Sequence, residues 1–412
     1  MTNETPFYKI WIDVSEPLPS VEVPAGHYGL GIFLRRNAEP IGYFRAKAVP
    51  GSIFTPRQLG EIVMDRGARD ILRAALRTPQ PAGPAERPSV TVAICTKDRA
   101  WSLEPCLKSL VPLQFPDQTG KPQFEILVVD NAPSDSSTRD LVDSQPAANY
   151  VVEPMPGLDF ARNLAVRQAS GRYIAFLDDD VTVDPAWLSG LLRALSENPG
   201  AACITGPVMP MELQTRAQVL FEERGGFGRG FGTARYTQHM IGNLTHPCNA
   251  GMFGAGCNMV FPREFLFRLG LFDESLDTGA PLPGGGDLDI FYRVLRADGA
   301  LVYESSMAIY HRHRADYKGL RKQMWTWGLG YMAFTMKNYR CDPANRFKLR
   351  WAAIGSFLFF TKMLAACCMG RWKHEWTADL AAWELAGAIK GIAGEYDRSK
   401  KRTAAIRARY AC

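Results

Sequence analysis

Strand–helix alternation from Ser89 onward predicts an α/β protein, built on a mainly parallel, doubly wound sheet. Two further observations set its limits. Short β-type runs before a proline- and glycine-rich stretch mark a small N-terminal β-rich module. An apolar, helical stretch marks the C-terminus. The divisions fall at residues 1–85, 86–345 and 346–412, and the middle segment carries the sheet.

In the first block, residues 28–34 and 41–45 read as strands, and the polar 35–40 between them as a hairpin connection. A helix is expected over 55–76 and a linker over 79–88. Nothing here forms a catalytic constellation, so an accessory or docking module is expected. Buried strands then follow at 90–95, 124–129, 149–152 and 173–177, each an apolar run. Helices are expected between them at 101–110, 136–143 and 158–169. Residues 351–370 are apolar between Arg350 and Arg371 and long enough to span a bilayer. Lys362 near their centre would cost about 2.5–3.5 kcal/mol there. Trp351, Trp372, Trp376 and Trp383, with Arg398, Lys400, Lys401, Arg402, Arg407 and Arg409, suit a helix lying in an anionic membrane interface. A helical hairpin packed on the central domain accounts for the same residues.

The 412 residues, 46% hydrophobic and 22% charged, are ordinary globular material for two or three domains. A formal charge of +6 is mild at this length and does not suggest a nucleic-acid binder. Nine cysteines without a CxxC pair point to reduced thiols in the cytosol. The polar start with Glu4 reads as neither a signal nor a transit peptide. The expected place is therefore cytoplasmic, with peripheral association at the inner face of the cytoplasmic membrane if the C-terminal block meets lipid.

The chemistry gathers at strand ends. The run 174–177 stops abruptly at Asp178, Asp179 and Asp180. Three adjacent anions do not fit inside a buried strand, so they belong at the sheet edge where ligands of open α/β sheets sit. Carboxylates there suit a hard divalent cation that is shared with phosphates. Asp184, before Pro185, can cap the next helix alone, which leaves the triplet unexplained. Asp130 just past its strand is placed for a ribose hydroxyl or base edge, although an ordinary turn explains it equally well. Thr96, Lys97, Asp98 and Arg99 add polar groups to the same edge, and 156–163 opens a helix whose N–H groups favour anions. Recurrence at successive strand ends points to a nucleotide.

Residues 92–99, 128–135, 157–163 and 175–180 together resemble the family 2 glycosyltransferases of the GT-A fold, over roughly 89–335. The resemblance implies that Asp130 contacts the nucleoside. It also implies that Asp178 and Asp180, as an Asp-X-Asp motif, hold Mg²⁺ or Mn²⁺ on the sugar diphosphate, with Asp180 the direct ligand. Thr96, Asp98, Arg99, Arg162, Asn163, Asp178 and Asp179 are assigned to the nucleotide sugar. Within 284–293, Asp287 takes the place of the general base, and Gly286 stands where the family usually has glutamate. His311 becomes a third metal ligand, ahead of His313. Residues 321–325 lack the arginine that processive synthases carry before Trp325.

The expected activity is inverting transfer of a hexose from a nucleotide-diphosphate sugar, with a UDP-sugar as the expected donor. The acceptor hydroxyl belongs to a saccharide, a lipid-linked saccharide or a metabolite. A nucleotidyltransferase would want a glycine- and lysine/arginine-rich phosphate loop after the first strand, which 95–99 is not. A catalytically silent sugar-nucleotide-binding or scaffold protein would not need the triplet together with Asp287. The glycine-rich aromatic segment 221–231 reads as a lid, an acceptor-contacting loop or a plain surface loop.

Overall fold

The N-terminal block folds around its β-type runs. A computed structural model describes residues 6–77, 88–114, 123–145, 147–240, 243–276, 282–372 and 375–410. Strands β1 (Tyr8–Asp13), β3 (Gly29–Arg36) and β4 (Glu39–Lys47) form one sheet, with the short pair β2 (Val21–Glu22) and β5 (Ile53–Phe54) beside it. The β3–β4 turn is tighter than the expected 35–40 connection. It is only Asn37-Ala38, both at positive φ, and the Asp13 carboxylate accepts from both backbone N–H groups at 3.2 and 2.9 Å. Helix α1 (Pro56–Leu76) starts at a Thr55/Gln58 capping box and covers one face with Leu59 and Val63. Most of the expected linker lies outside the described residues.

The other face of this sheet is docked on the central domain. Phe33 and Tyr43 pack with Met209, Ala308 and Tyr310. Arg35 reaches Asp184 at 2.5 Å, and the Tyr310 hydroxyl donates to the same carboxylate oxygen. Asp184 was expected to cap a helix, but that helix begins at Trp187 with Ala186 as its cap. Asp184 accepts instead from the Ala186 N–H at 2.9 Å and anchors the N-terminal module with its other oxygen.

The central domain runs β6 (Val90–Thr96), α2 (Ala100–Gln114), β7 (Glu125–Asn131), α3 (Ser137–Asp143), β8 (Ala148–Glu153), α4 (Leu158–Gln168), β9 (Tyr173–Asp178), β10 (Val181–Val183), α5 (Trp187–Glu197), β11 (Ala201–Thr205), β12 (Val208–Pro210), α6 (Arg216–Glu223), β13 (Ala234–Tyr236), β14 (Asn258–Pro262), α7 (Arg263–Leu269), α8 (Gly286–Arg296), β15 (Ala300–Tyr303) and β16 (Ile309–His311). Its main sheet has the order β13-β15-β11-β14-β9-β6-β7-β8. The β9-β6-β7-β8 half and the β11–β15 pair are parallel, while β14 runs antiparallel between them. The fold is thus the mainly parallel GT-A type sheet, sandwiched between helices. Apolar residues from both sheet faces fill two cores, one under α2 and α5, the other under α4 and α8. A second, small sheet β10-β16-β12 crosses the edge where β9 ends.

Helices α9 (Tyr317–Cys341), α10 (Arg346–Cys368), α11 (Ala378–Lys390) and α12 (Tyr396–Tyr410) close the chain. A Cβ on Gly328 would lie 2.0 Å from the Glu384 carbonyl, and one on Gly387 2.0 Å from that of Trp325, so α9 and α11 touch backbone to backbone. The boundary drawn at 346 therefore falls inside a packed helical unit. Trp376 is core and so is not available to an interface, while the half-exposed Arg398 and Arg407 pair with Glu395 and Glu274. The outer face of α10 stays bare, with Phe347, Trp351, Leu358 and Met369 exposed along one stripe.

Lys337 of α9 joins this unit to the central domain. Its ammonium lies 2.7 Å from Asp273 and 2.7 Å from Asp289, both largely shielded from water. Burial alone would raise Asp273, but Lys337 and its hydrogen bonds hold it down to about 2, and Asp289 is lowered likewise. Both folded pKa values lie below the unfolded ones, so this stabilisation is complete above pH ~4 and is lost as pH falls toward ~2. Lys337→Met should leave Asp273 without its cation and Asp289 with Arg293 alone, cost about 3–5 kcal/mol in urea unfolding, and move acid unfolding to higher pH. An unchanged acid midpoint by far-UV circular dichroism would contradict this.

Candidate active site

Register carries the strand-end residues together. Thr96 pairs with Asp130 across β6–β7, and Cys95 with Asp178 across β6–β9. Asp179 and Asp180 follow in the turn from β9 into β10, and both are buried, 3% and 5% exposed. Burial of the pair is tolerated because its charges are met. Thr96 Oγ1 donates to Asp179 at 2.7 Å, and Arg99 lies 2.8 Å from Asp179 and 2.9 Å from Asp180. Burial still outweighs these partners at Asp179 and raises its pKa to about 6. At Asp180 burial is offset by the Arg99 guanidinium and its hydrogen bond, which hold the carboxyl below its usual range. Asp178 keeps its side chain 37% exposed, 3.9 Å from the Arg162 guanidinium.

β16 pairs with β10 so that His311 stands opposite Val181, next to Asp180. His311 Nε2 lies 3.3 Å from Asp180 Oδ1. Burial pushes its pKa down to about 4, so the imidazole is neutral at physiological pH with a lone pair to give. Phe227 from the glycine-rich segment packs edge-on against the His311 ring at 5.0 Å, and the Arg229 Nε donates to the Gly251 carbonyl at 2.6 Å. The segment therefore lies over the histidine side of the site.

Asp130 has no exposure. Its Oδ2 accepts from the Tyr150 hydroxyl at 2.8 Å, while Oδ1 is buried with no hydrogen-bond partner among the described residues. Desolvation, with Asp98 and Asp135 nearby, raises its pKa. An orphan acceptor of this kind suits a ligand hydroxyl or N–H.

Asp287 is the second residue of α8. Its helix starts at Gly285 in the left-handed region, where a Cβ would meet the Gly330 carbonyl of α9 at 2.9 Å. Glycine where the family usually has glutamate thus belongs to a segment pressed backbone to backbone on α9. Asp287 accepts from Leu288 N–H at 2.8 Å and Gly256 N–H at 3.2 Å. A Cβ on Gly256 would touch both Asp287 and Arg162, at 3.0 and 3.2 Å, so Asp287 sits one glycine away from the Arg162–Asp178 contact. Burial pushes the Cys257 thiol up, and the charges of Asp178, Asp180 and Asp287 add to that rise.

Other predicted residues are drawn into the protein itself. Asp98, at positive φ, accepts from the Ser134 N–H and hydroxyl at 2.7 and 2.9 Å, tying together the loops after β6 and β7. Asn163 donates to the Phe272 carbonyl and to Glu274 and accepts from Phe272 N–H, so its amide holds the 272–274 segment. Arg162 clamps Asp159 at 3.0 Å. Two residues outside the predicted set also hold the site: Asn131, whose amide holds Met155 and Gly157, and Glu222, 2.8 Å from His313. The Asn131 signal was present in its place beside Asp130; Glu222, far along the chain, gave none.

Among the described residues, no group of three or more His, Cys, Asp or Glu side chains already stands as a metal cluster. The donors nevertheless fit a divalent cation. One ionised carboxylate and one neutral imidazole face each other at 3.3 Å, and a half-exposed carboxylate lies on the adjoining strand end.

A family model described as Glycosyl transferase family 2 matches residues 91–262. The succinoglycan biosynthesis protein ExoM of Rhizobium meliloti (strain 1021) is 33% identical over 325 residues, covering 76% of this chain and 95% of that protein. The glucosyl-dolichyl phosphate glucuronosyltransferase of Haloferax volcanii is 25% identical over 196 residues, 45% of this chain and 56% of that protein. Among solved structures, the mannosyltransferase PcManGT from Pyrobaculum calidifontis, in complex with GDP-Man and Mn²⁺, superposes on 81% of this chain and 97% of its own. Its TM-score is 0.49 and its identity 18%.

Asn163 offers a direct check on the division between holding and binding. Asn163→Ala should strand the Phe272 backbone groups and lower stability by about 1–3 kcal/mol in chemical denaturation. A variant as stable as the parent would show that the amide is not holding this segment.

Proposed function

The chain belongs to glycosyl transferase family 2 and is a glycosyltransferase; from that premise we propose that it transfers a hexose, with inversion, from a nucleotide-diphosphate sugar to an acceptor hydroxyl. The observation that carries this reading is the placement of three carboxylates at the sheet edge that also holds the orphan Asp130 oxygen: Asp178 lies 3.9 Å from Arg162, Asp180 3.3 Å from His311, and Asp287 accepts from the Gly256 N–H at 3.2 Å. Asp130 receives a donor N–H or O–H from the nucleoside. Asp180 and His311, with Asp178 at hand, would hold a divalent metal. Bound there, it would supply the positive charge that stabilises the departing diphosphate, and no general acid would be needed. An imidazole among the donors favours Mn²⁺ over Mg²⁺. Arg99 and Thr96 serve the reaction indirectly by keeping the buried Asp179–Asp180 turn in place.

Asp287 is the base. It takes the proton of the acceptor hydroxyl as that oxygen bonds to the anomeric carbon. The bond from that carbon to the phosphate oxygen breaks, and the nucleoside diphosphate leaves with the electron pair. A single base on the acceptor side gives inversion. We read the donor as a UDP-sugar. For the acceptor we favour a saccharide or lipid-linked saccharide of polysaccharide assembly, because one relative is named for succinoglycan biosynthesis and another for glucosyl-dolichyl phosphate.

Such an acceptor lies at a membrane, and α10 is suited to meet it. Among the described residues, the helical stretch 343–368, which contains α10, is the one long and apolar enough to cross a bilayer, and little of it is buried. With Lys362 exposed on the same side, we place the helix along the cytoplasmic membrane surface rather than across it.

Asp180→Ala should abolish donor turnover. Asp287→Asn should bind donor normally, by thermal shift against nucleotide sugars with Mn²⁺, while transfer falls at least about 100-fold. Normal transfer by Asp287→Asn would remove it as the base. The full chain should co-sediment with anionic vesicles, and the double variant Trp351→Glu, Leu358→Glu should stay in the supernatant. Equal pelleting would take α10 out of the membrane reading.

A further inference from the structure

His313 and Glu222 have no part in the scheme above, yet they form a buried line that ends on the metal side of the site. His311 Nδ1 lies 3.0 Å from His313 Nδ1, and His313 Nε2 lies 2.8 Å from Glu222 Oε1. Both rings are almost without exposure, 7% and 2%. An ionised carboxylate only accepts, so Glu222 requires a proton on His313 Nε2. With its one proton on Nε2, the ring offers Nδ1 as an acceptor. His311 must answer with Nδ1–H, which leaves its own lone pair at Nε2. That lone pair faces Asp180 Oδ1 at 3.3 Å. Two acceptors at this distance repel unless a cation lies between them.

We propose that Glu222 and His313 are positioning residues that fix His311 in its Nδ1–H form, preparing Nε2 and Asp180 Oδ1 as joint donors to the divalent metal. The proposal rests on the reading of His311 and Asp180 as metal ligands.

The surroundings hold this line in place. Phe221 packs on the His313 ring at 4.5 Å, and Gln218 Nε2 donates to the His313 carbonyl at 3.4 Å. Gly226 lies so close that a Cβ would stand 2.4 Å from Glu222 Oε1. Arg45 of the N-terminal module donates to the Val219 carbonyl at 3.2 Å and lies 3.7 Å from Glu223, so the docked module covers the helix that carries Glu222. A carboxylate–histidine pair behind a metal-bound histidine commonly contributes 10–100-fold in affinity.

The test uses the full chain and Mn²⁺ alone, with pulsed electron paramagnetic resonance for imidazole-nitrogen coupling and a titration for affinity. The parent should show nitrogen coupling, and His311→Ala should lose it. Glu222→Leu and His313→Phe keep side-chain bulk in the apolar cluster and should weaken Mn²⁺ binding by about 10–100-fold. His313→Asn, which restores an acceptor beside His311, should recover much of the loss. Thermal melts confirm that each variant is folded, and the His313 pair carries the test if Glu222→Leu is not. Parent-like affinity in both Glu222→Leu and His313→Phe, with His311→Ala still defective, overturns the positioning line and leaves the ligand reading intact. Absence of nitrogen coupling in the parent, or parent-like binding by both His311→Ala and Asp180→Asn, overturns the ligand reading and the line with it.

Discussion

Arg99 spanning Asp179 and Asp180 is the interaction on which the rest of the site depends. Two adjacent carboxylates with almost no exposure would each lose several kcal/mol of hydration if left alone. The planar guanidinium meets one oxygen of each, at 2.8 and 2.9 Å, a geometry that an ammonium could not reproduce with one rigid fork. Thr96 takes the remaining oxygen of Asp179, whereas that of Asp180 is turned to His311. The division of labour inside the triplet follows. Asp179 is consumed by the turn, Asp180 keeps an oxygen for a ligand, and Asp178 faces outward beside Arg162.

This arrangement needs β10 and β16 to stay paired, and two outlying parts of the chain see to that. The N-terminal module grips Asp184 just after β10 through Arg35, and the same carboxylate takes the hydroxyl of Tyr310 beside His311. On the opposite side, Gly284 and Gly285 lie against Gly330 of α9 and set where the helix of Asp287 begins. Neither the module nor the C-terminal helices supplies a proposed catalytic group. Both frame the site.

Much of this was legible in the residues. Apolar runs stopping at Asp130 and Asp178 located the sheet edge, because strand period and charge exclusion act locally. Roles within the edge were less legible. Asn163 and Asp98 look like ligand contacts in sequence, but their partners Phe272 and Ser134 are distant in the chain and met only in the fold. Asp184 reads as a helix cap until Arg35, from another domain, claims its second oxygen. Glu222 gives no local signal, since its meaning depends on a histidine ninety-one positions away. The antiparallel run of β14 is not legible either, because a strand buried along its length reads as the same apolar run in either direction.

The central claim is that Asp180 and His311 jointly hold the ion that carries the sugar diphosphate. Anomalous diffraction from crystals grown with Mn²⁺ and a nucleoside diphosphate tests it most directly. The account predicts one strong manganese peak in contact with Asp180 Oδ1, His311 Nε2 and the diphosphate. Manganese bound elsewhere, with the diphosphate seated and these two side chains still facing each other empty, would contradict it.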